Sequence, residues 1–146
     1  MGNGLRQTTG MRRRGERIPL VTRVEIRTAD DVLFDGQACC TNIGLGGLRV
    51  TARRGLAPGT RVYASLRLPS GRCFEGEGRV AWLHTTVHPA LLGAPRGSRD
   101  EACFGIAFDG LSTQHLLPIA RLLVAREGER RRARRIRRLH GLPARA

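Results

Sequence analysis

From Leu20 to Thr28 the chain reads LVTRVEIRT, in which Leu20, Thr22, Val24 and Ile26 alternate with Val21, Arg23, Glu25 and Arg27. A period of two predicts a strand with one buried face. The same patterning predicts strands in VLFDGQACCTNI, GGLRVTA, TRVYASLRL, GRCFEGEGRVAWLH and ACFGIAFDG. APGT and PSG punctuate them with turn chemistry. Residues 85–100, rich in Pro, Gly and Arg, predict a long mobile loop between the last two strands. Ser112 then reads as a helix cap, because Leu116, Leu117, Ile119, Ala120, Leu123 and Val124 recur at spacings of three and four. Six short strands and one terminal helix predict a mainly β protein, a six-stranded antiparallel barrel closed or plugged by a C-terminal α-helix.

Composition fits that picture and adds a charge. A length of 146 residues with 40% apolar positions suits one domain with a modest core. No apolar run approaches the roughly 18 residues of a membrane span, and residues 1–11 read as a flexible start without a signal-peptide core. A cytoplasmic location is expected. The formal charge is +14, and all 26 basic residues are arginine. Each is a permanently charged planar fork suited to phosphate and to base edges, so anionic partners are expected. Residues 126–146 carry nine of these arginines against Glu127 and Glu129, half of the net charge. This tail reads as a solvated helix end or a basic arm. Arg130, Arg131, Arg132, Arg134, Arg135, Arg137 and Arg138 are its candidate contacts to nucleic acid.

Catalytic and metal chemistry find no support. Cys39 and Cys40 are adjacent, Cys73 and Cys103 are isolated, and no C-x-x-C spacing exists. They are expected to be small buried side chains. His84 and His88 stand four apart beside Pro89, which argues against a helical metal site and for an exposed loop. H-E-x-x-H and G-x-S-x-G are missing, and without lysine a phosphate-loop motif is impossible. An enzyme is not expected, nor a cofactor.

Two stretches remain. MRRRGERIPL, Met11 to Leu20, concentrates arginine just before an extended entry at Ile18-Pro19, and CTNIGLGGLRV, Cys40 to Val50, crowds glycine at a strand start. Arg13 and Arg17 match an R-x-x-x-R motif, and Asn42 to Gly47 match [D/N]-x-S-x-x-G with Gly44 at the serine position. In this order, with GRVAWL and GIAFDGLS downstream, the chain resembles a PilZ domain, the bacterial receptor module for cyclic di-GMP, over residues 12–125.

The resemblance implies a cyclic di-GMP receptor or adaptor whose arginine segment, residues 12–19, changes conformation over the ligand and signals to a downstream protein. It assigns Arg13 and Arg17 to phosphate and guanine, and Arg12 to an extra contact of the kind that accompanies a stacked ligand pair. Asn42 would meet a guanine edge. Gly46 and Gly47 would let the backbone approach the ligand, and Gly44 would lack the usual hydroxyl. Two other readings stand beside it: a nucleic-acid-binding protein working through the tail, and a PilZ-type interaction domain that no longer binds nucleotide.

Overall fold

The computed structural model describes residues 16–86 and 101–141. In chain order come β1 (Arg17–Thr28), β2 (Leu33–Phe34), β3 (Cys39–Gly44), β4 (Gly47–Ala52), β5 (Arg61–Arg67), β6 (Cys73–Thr86), β7 (Glu101–Phe108) and α1 (Thr113–Leu139). All pairings are antiparallel, in the order β2-β1-β3-β4-β7-β6-β5, with a further pairing of β1 to β5. That last pairing closes the sheet. β1, β3, β4, β7, β6 and β5 make the expected six-stranded antiparallel barrel, and β2 is a two-residue appendage on β1.

β1 closes the barrel because it is long enough to serve two neighbours. Its first half pairs with β3, from Arg17 opposite Gly44 to Arg23 opposite Cys39, with a register shift between Pro19 and Thr22. Its second half pairs with β5, from Val24 opposite Leu66 to Thr28 opposite Val62. Alternation sends Ile18, Val24 and Ile26 inward, where they meet Ile43, Leu48, Val50, Leu66, Phe74, Phe104 and Ile106. Phe34 packs edge-on to Phe104, with ring centroids 6.0 Å apart.

Several sequence expectations are corrected. The single strand expected from Val32 to Ile43 is divided into β2 and β3 at Asp35-Gly36. Asp35 adopts φ 28, and its carbonyl accepts from the Ala38 N–H at 3.1 Å. Its carboxylate accepts from the N–H groups of Gln37 at 3.1 Å and Arg53 at 2.7 Å. Turn chemistry outweighs alternation there. Of the cysteines only Cys40 is buried; Cys39 and Cys103 are half-buried and Cys73 is exposed. Each of these three neighbours an inward residue, and strand geometry turns it to the outer face. His84 is an exposed residue of β6, which runs on to Thr86. His88 and most of the expected loop, at residues 87–100, lie outside the described residues.

Ser112 caps α1, its Oγ accepting from the His115 N–H at 3.4 Å. Ile119 is buried, and Leu116, Leu122 and Leu123 pack on the barrel core. Leu117 and Val124, expected on the apolar stripe, are exposed at 42% and 73% because the barrel mouth covers only a narrow arc of the helix. The helix continues without a break through Arg126 to Leu139. Most of the basic tail is thus a solvated helix end. Among the described residues no helix is long and apolar enough to cross a membrane.

On the outer face, the Trp82 indole rests directly on Gly105, where a Cβ would collide with the ring, and Arg49 lies 5.9 Å from the ring centroid. Gly105→Ala is expected to displace the indole and destabilise the fold by roughly 1–3 kcal/mol. Trp82 is the chain's only tryptophan, so denaturation followed by its fluorescence checks this.

The slight burial of Asp35 would raise its carboxyl pKa, but the N–H groups of Arg53 and Gln37 and the charges of Arg53 and Arg54 hold it below 3.8. A carboxylate with a lowered folded value contributes stability that is complete above 3.8 and lost as pH falls through the folded value. Asp35→Asn is expected to be less stable than wild type at neutral pH and to converge with it in acid, read as urea midpoints.

Candidate functional site

The register of β1 against β3 brings the two distinctive sequence stretches together. Arg17 opens β1 directly opposite Gly44, and Pro19 stands opposite Asn42. The Arg17 guanidinium donates to Asn42 Oδ1 at 3.3 Å, a partly buried contact across 25 positions of chain. That bond leaves the two amide donors of Asn42 to point elsewhere. Below them lies Cys40. Burial pushes its thiol up to about 12, offset only in part by the Asn42 backbone and the Arg17 charge, so it remains a neutral filler.

The glycines divide by role. Gly44 has no left-handed φ, so its backbone accepts other residues. Space is the constraint: a Cβ would stand 2.7 Å from the Glu16 carbonyl oxygen and 3.0 Å from Arg17 Cγ. Glycine at this position lets the arginine-bearing segment lie against β3. Gly47 is buried, and a Cβ there would overlap the Ile106 carbonyl oxygen, so its need for glycine arises from the closeness of β4 and β7. Gly46 is exposed in the two-residue link between β3 and β4, and its carbonyl accepts from the Phe108 N–H at 2.9 Å. Arg12 and Arg13 lie outside the described residues.

One contact has no sequence signal. Glu16, inside the R-x-x-x-R motif, pairs with Arg130 of α1 at 2.7 Å. The two are 114 positions apart, and only the placement of α1 over the mouth bordered by β1 and β3 brings them together. Arg131, Arg132, Arg134, Arg135, Arg137 and Arg138 project from the same helix and are exposed.

Two surface clefts, of about 360 and 670 Å³, lie away from Arg17 and Asn42. Asp31, Glu77 and Asp109 line the first together with Arg27 and Arg61, and Glu75, Glu77 and Asp109 line the second. Carboxylates, which repel phosphate, outnumber the arginines of the first cleft and meet none in the second, so an anionic ligand is better matched by the face at Arg17. Among the described residues no cluster of His, Cys, Asp and Glu could hold a metal ion.

Comparison with known proteins agrees with the fold. The family model of the PilZ domain matches residues 11–125. None of the curated proteins compared matches the sequence. Among solved structures, YcgR from Escherichia coli in complex with c-di-GMP is similar, with a TM-score of 0.64 and 17% identity over 86% of this chain and 51% of that one. The PilZ domain of YcgR with c-di-GMP gives 0.60 and 15%, covering 84% and 96%. The inhibitor of motility MotI/DgrA from Bacillus subtilis gives 0.59 and 19%, covering 81% and 52%. The chain thus spans about half the length of MotI and of the longer YcgR chain.

Gly44→Ala is expected to force Glu16 and the start of β1 away from β3, costing about 1 kcal/mol of stability. Thermal denaturation checks it. An unchanged midpoint would show that the segment moves aside freely.

Proposed function

The chain belongs to the PilZ domain family, and from that membership we propose that it is a receptor for cyclic di-GMP, a binding module and not an enzyme. The observation that carries this reading is the Arg17 to Asn42 contact, which joins the arginine motif to the glycine-rich strand start on one open face. Two of the similar structures, both of YcgR, are complexes with c-di-GMP, which supports the choice of ligand.

The ligand has two phosphates and two guanines. Arg17, held at the head of β1, offers a guanidinium fork to a phosphate or to the O6 and N7 edge of guanine. Asn42 offers its amide donors to the same edge. Arg13, four positions earlier, supplies the second fork and Arg12 an additional one, while Gly44 and Gly46 keep that surface low. Gly47 acts indirectly, by setting the path of β4.

Signalling follows from the segment's other contact. Drawing residues 12–17 onto a ligand moves Glu16, and the exposed Glu16–Arg130 pair is weak enough to be exchanged. The rearranged segment and helix then present a changed surface to a downstream protein in the cytoplasm, where the messenger is made.

Isothermal titration with cyclic di-GMP tests the reading. Wild type is expected to bind, and Arg17→Ala to lose roughly 1.5–3 kcal/mol of affinity by removing a charged contact. Gly44→Ser is expected to bind about tenfold more tightly than Gly44→Ala, since both carry the same Cβ and only serine restores the hydroxyl. No heat and no thermal shift with wild type would end the receptor reading.

A further inference from the structure

The basic half of α1 is larger than its single contact with Glu16 requires. Residues 126–139 hold eight arginines and two glutamates, six net positive charges, on a rod about 21 Å long at 1.5 Å per residue. Arg126, Arg130, Arg134 and Arg137 continue, at spacings of three and four, the stripe in which Leu116, Ile119 and Leu123 pack on the barrel. Arg131, Arg132, Arg135 and Arg138 occupy the other faces. All residues from Glu129 to Leu139 are exposed.

This rod is electrostatically unsatisfied. Arg126, Arg130 and Arg131 have acidic partners in Glu129, Glu16 and Glu127. Arg132, Arg134, Arg135, Arg137 and Arg138 have none among the described residues. Arg130 and Arg134, Arg131 and Arg135, and Arg134 and Arg138 are like charges at a spacing of four, which destabilises a helix. A dense polyanion relieves that repulsion. An anionic membrane is the poorer match, because an interfacial helix needs a broad apolar face, and the strip between the arginines is the narrow one of Ala133, Ile136 and Leu139. Arginines around most of the circumference suit a partner with phosphates on two sides, as in the major groove of B-form DNA, which admits a helix; the groove of A-form RNA is too narrow.

We infer that the C-terminal half of α1 is a docking rod for duplex DNA that contacts mainly the phosphate backbone. This surface adjoins the Arg17 segment through the Glu16–Arg130 pair, and the inference does not depend on nucleotide binding.

The test is fluorescence anisotropy of the full chain with a labelled duplex of about 20 base pairs, without cyclic di-GMP, from about 50 to 200 mM salt. The logarithm of affinity is expected to fall against the logarithm of salt with a slope of about −5, if each of six net charges neutralises one phosphate. The Arg132, Arg134 and Arg135→Gln triple variant is expected to flatten that slope by about 2.7, and the matching →Lys triple to retain it. Gln and Lys both favour helix, and circular dichroism confirms that α1 persists. The control triple Arg61, Arg67 and Arg72→Gln removes equal charge from exposed positions on and beside β5 and is expected to leave the slope unchanged. Equal losses from the two Gln triples would overturn the inference, since binding would then follow net charge alone. It would also be overturned by absence of DNA binding, by preferential binding to phosphatidylserine vesicles at the same salt, or by salt-dependent self-association in place of DNA binding.

Discussion

The structure depends on one strand belonging to two neighbours. β1 pairs with β3 over its first half and with β5 over its second, and the shift between Pro19 and Thr22 lets it bend from one to the other. Without the second pairing, β1 and β5 would each present an open row of backbone donors and acceptors. With it, the barrel closes around Ile26, Phe74 and Phe104, and the chain's entry is held against β3. The meeting of the two motif stretches is a by-product of closure, because the register that completes the hydrogen bonds also sets Arg17 beside Asn42.

Close approach is the second constraint. Gly44, Gly47, Gly78 and Gly105 occupy strand positions without a left-handed φ, and at each a Cβ would strike a neighbouring backbone or the Trp82 ring. Glycine at these places supplies room, not conformational freedom. At Gly44, the position that matches the motif's serine is also where the Glu16 backbone comes near. A lost hydroxyl and a tighter seat for the arginine segment are two sides of one substitution.

The guanidinium groups are spread widely: Arg61, Arg67, Arg72 and Arg79 stand on and beside β5 and β6 near Glu75, Glu77 and Asp109, and the densest run lies along the exposed half of α1. The Glu16–Arg130 pair links that helix to the segment just before β1.

Much of this was legible in sequence, because alternation and turn chemistry are local. The strand periods, the Ser112 cap and the order of Arg17 before Asn42 required no tertiary information. Other features escaped for equally physical reasons. Asp35-Gly36 broke an apparently continuous strand, since alternation on either side conceals a turn whose side-chain bonds reach across to Arg53. Adjacent cysteines could not both face inward, and composition does not reveal which of them does. The arc of α1 covered by the barrel, and hence the exposure of Leu117 and Val124, depends on the width of the mouth that the strands enclose. The contacts at Gly44 and between Glu16 and Arg130 exist only after closure. Residue types and their local periods determined the elements and their order; the pairing of β1 with two partners decided which distant side chains meet, because register is a property of two strands together and neither strand encodes it alone.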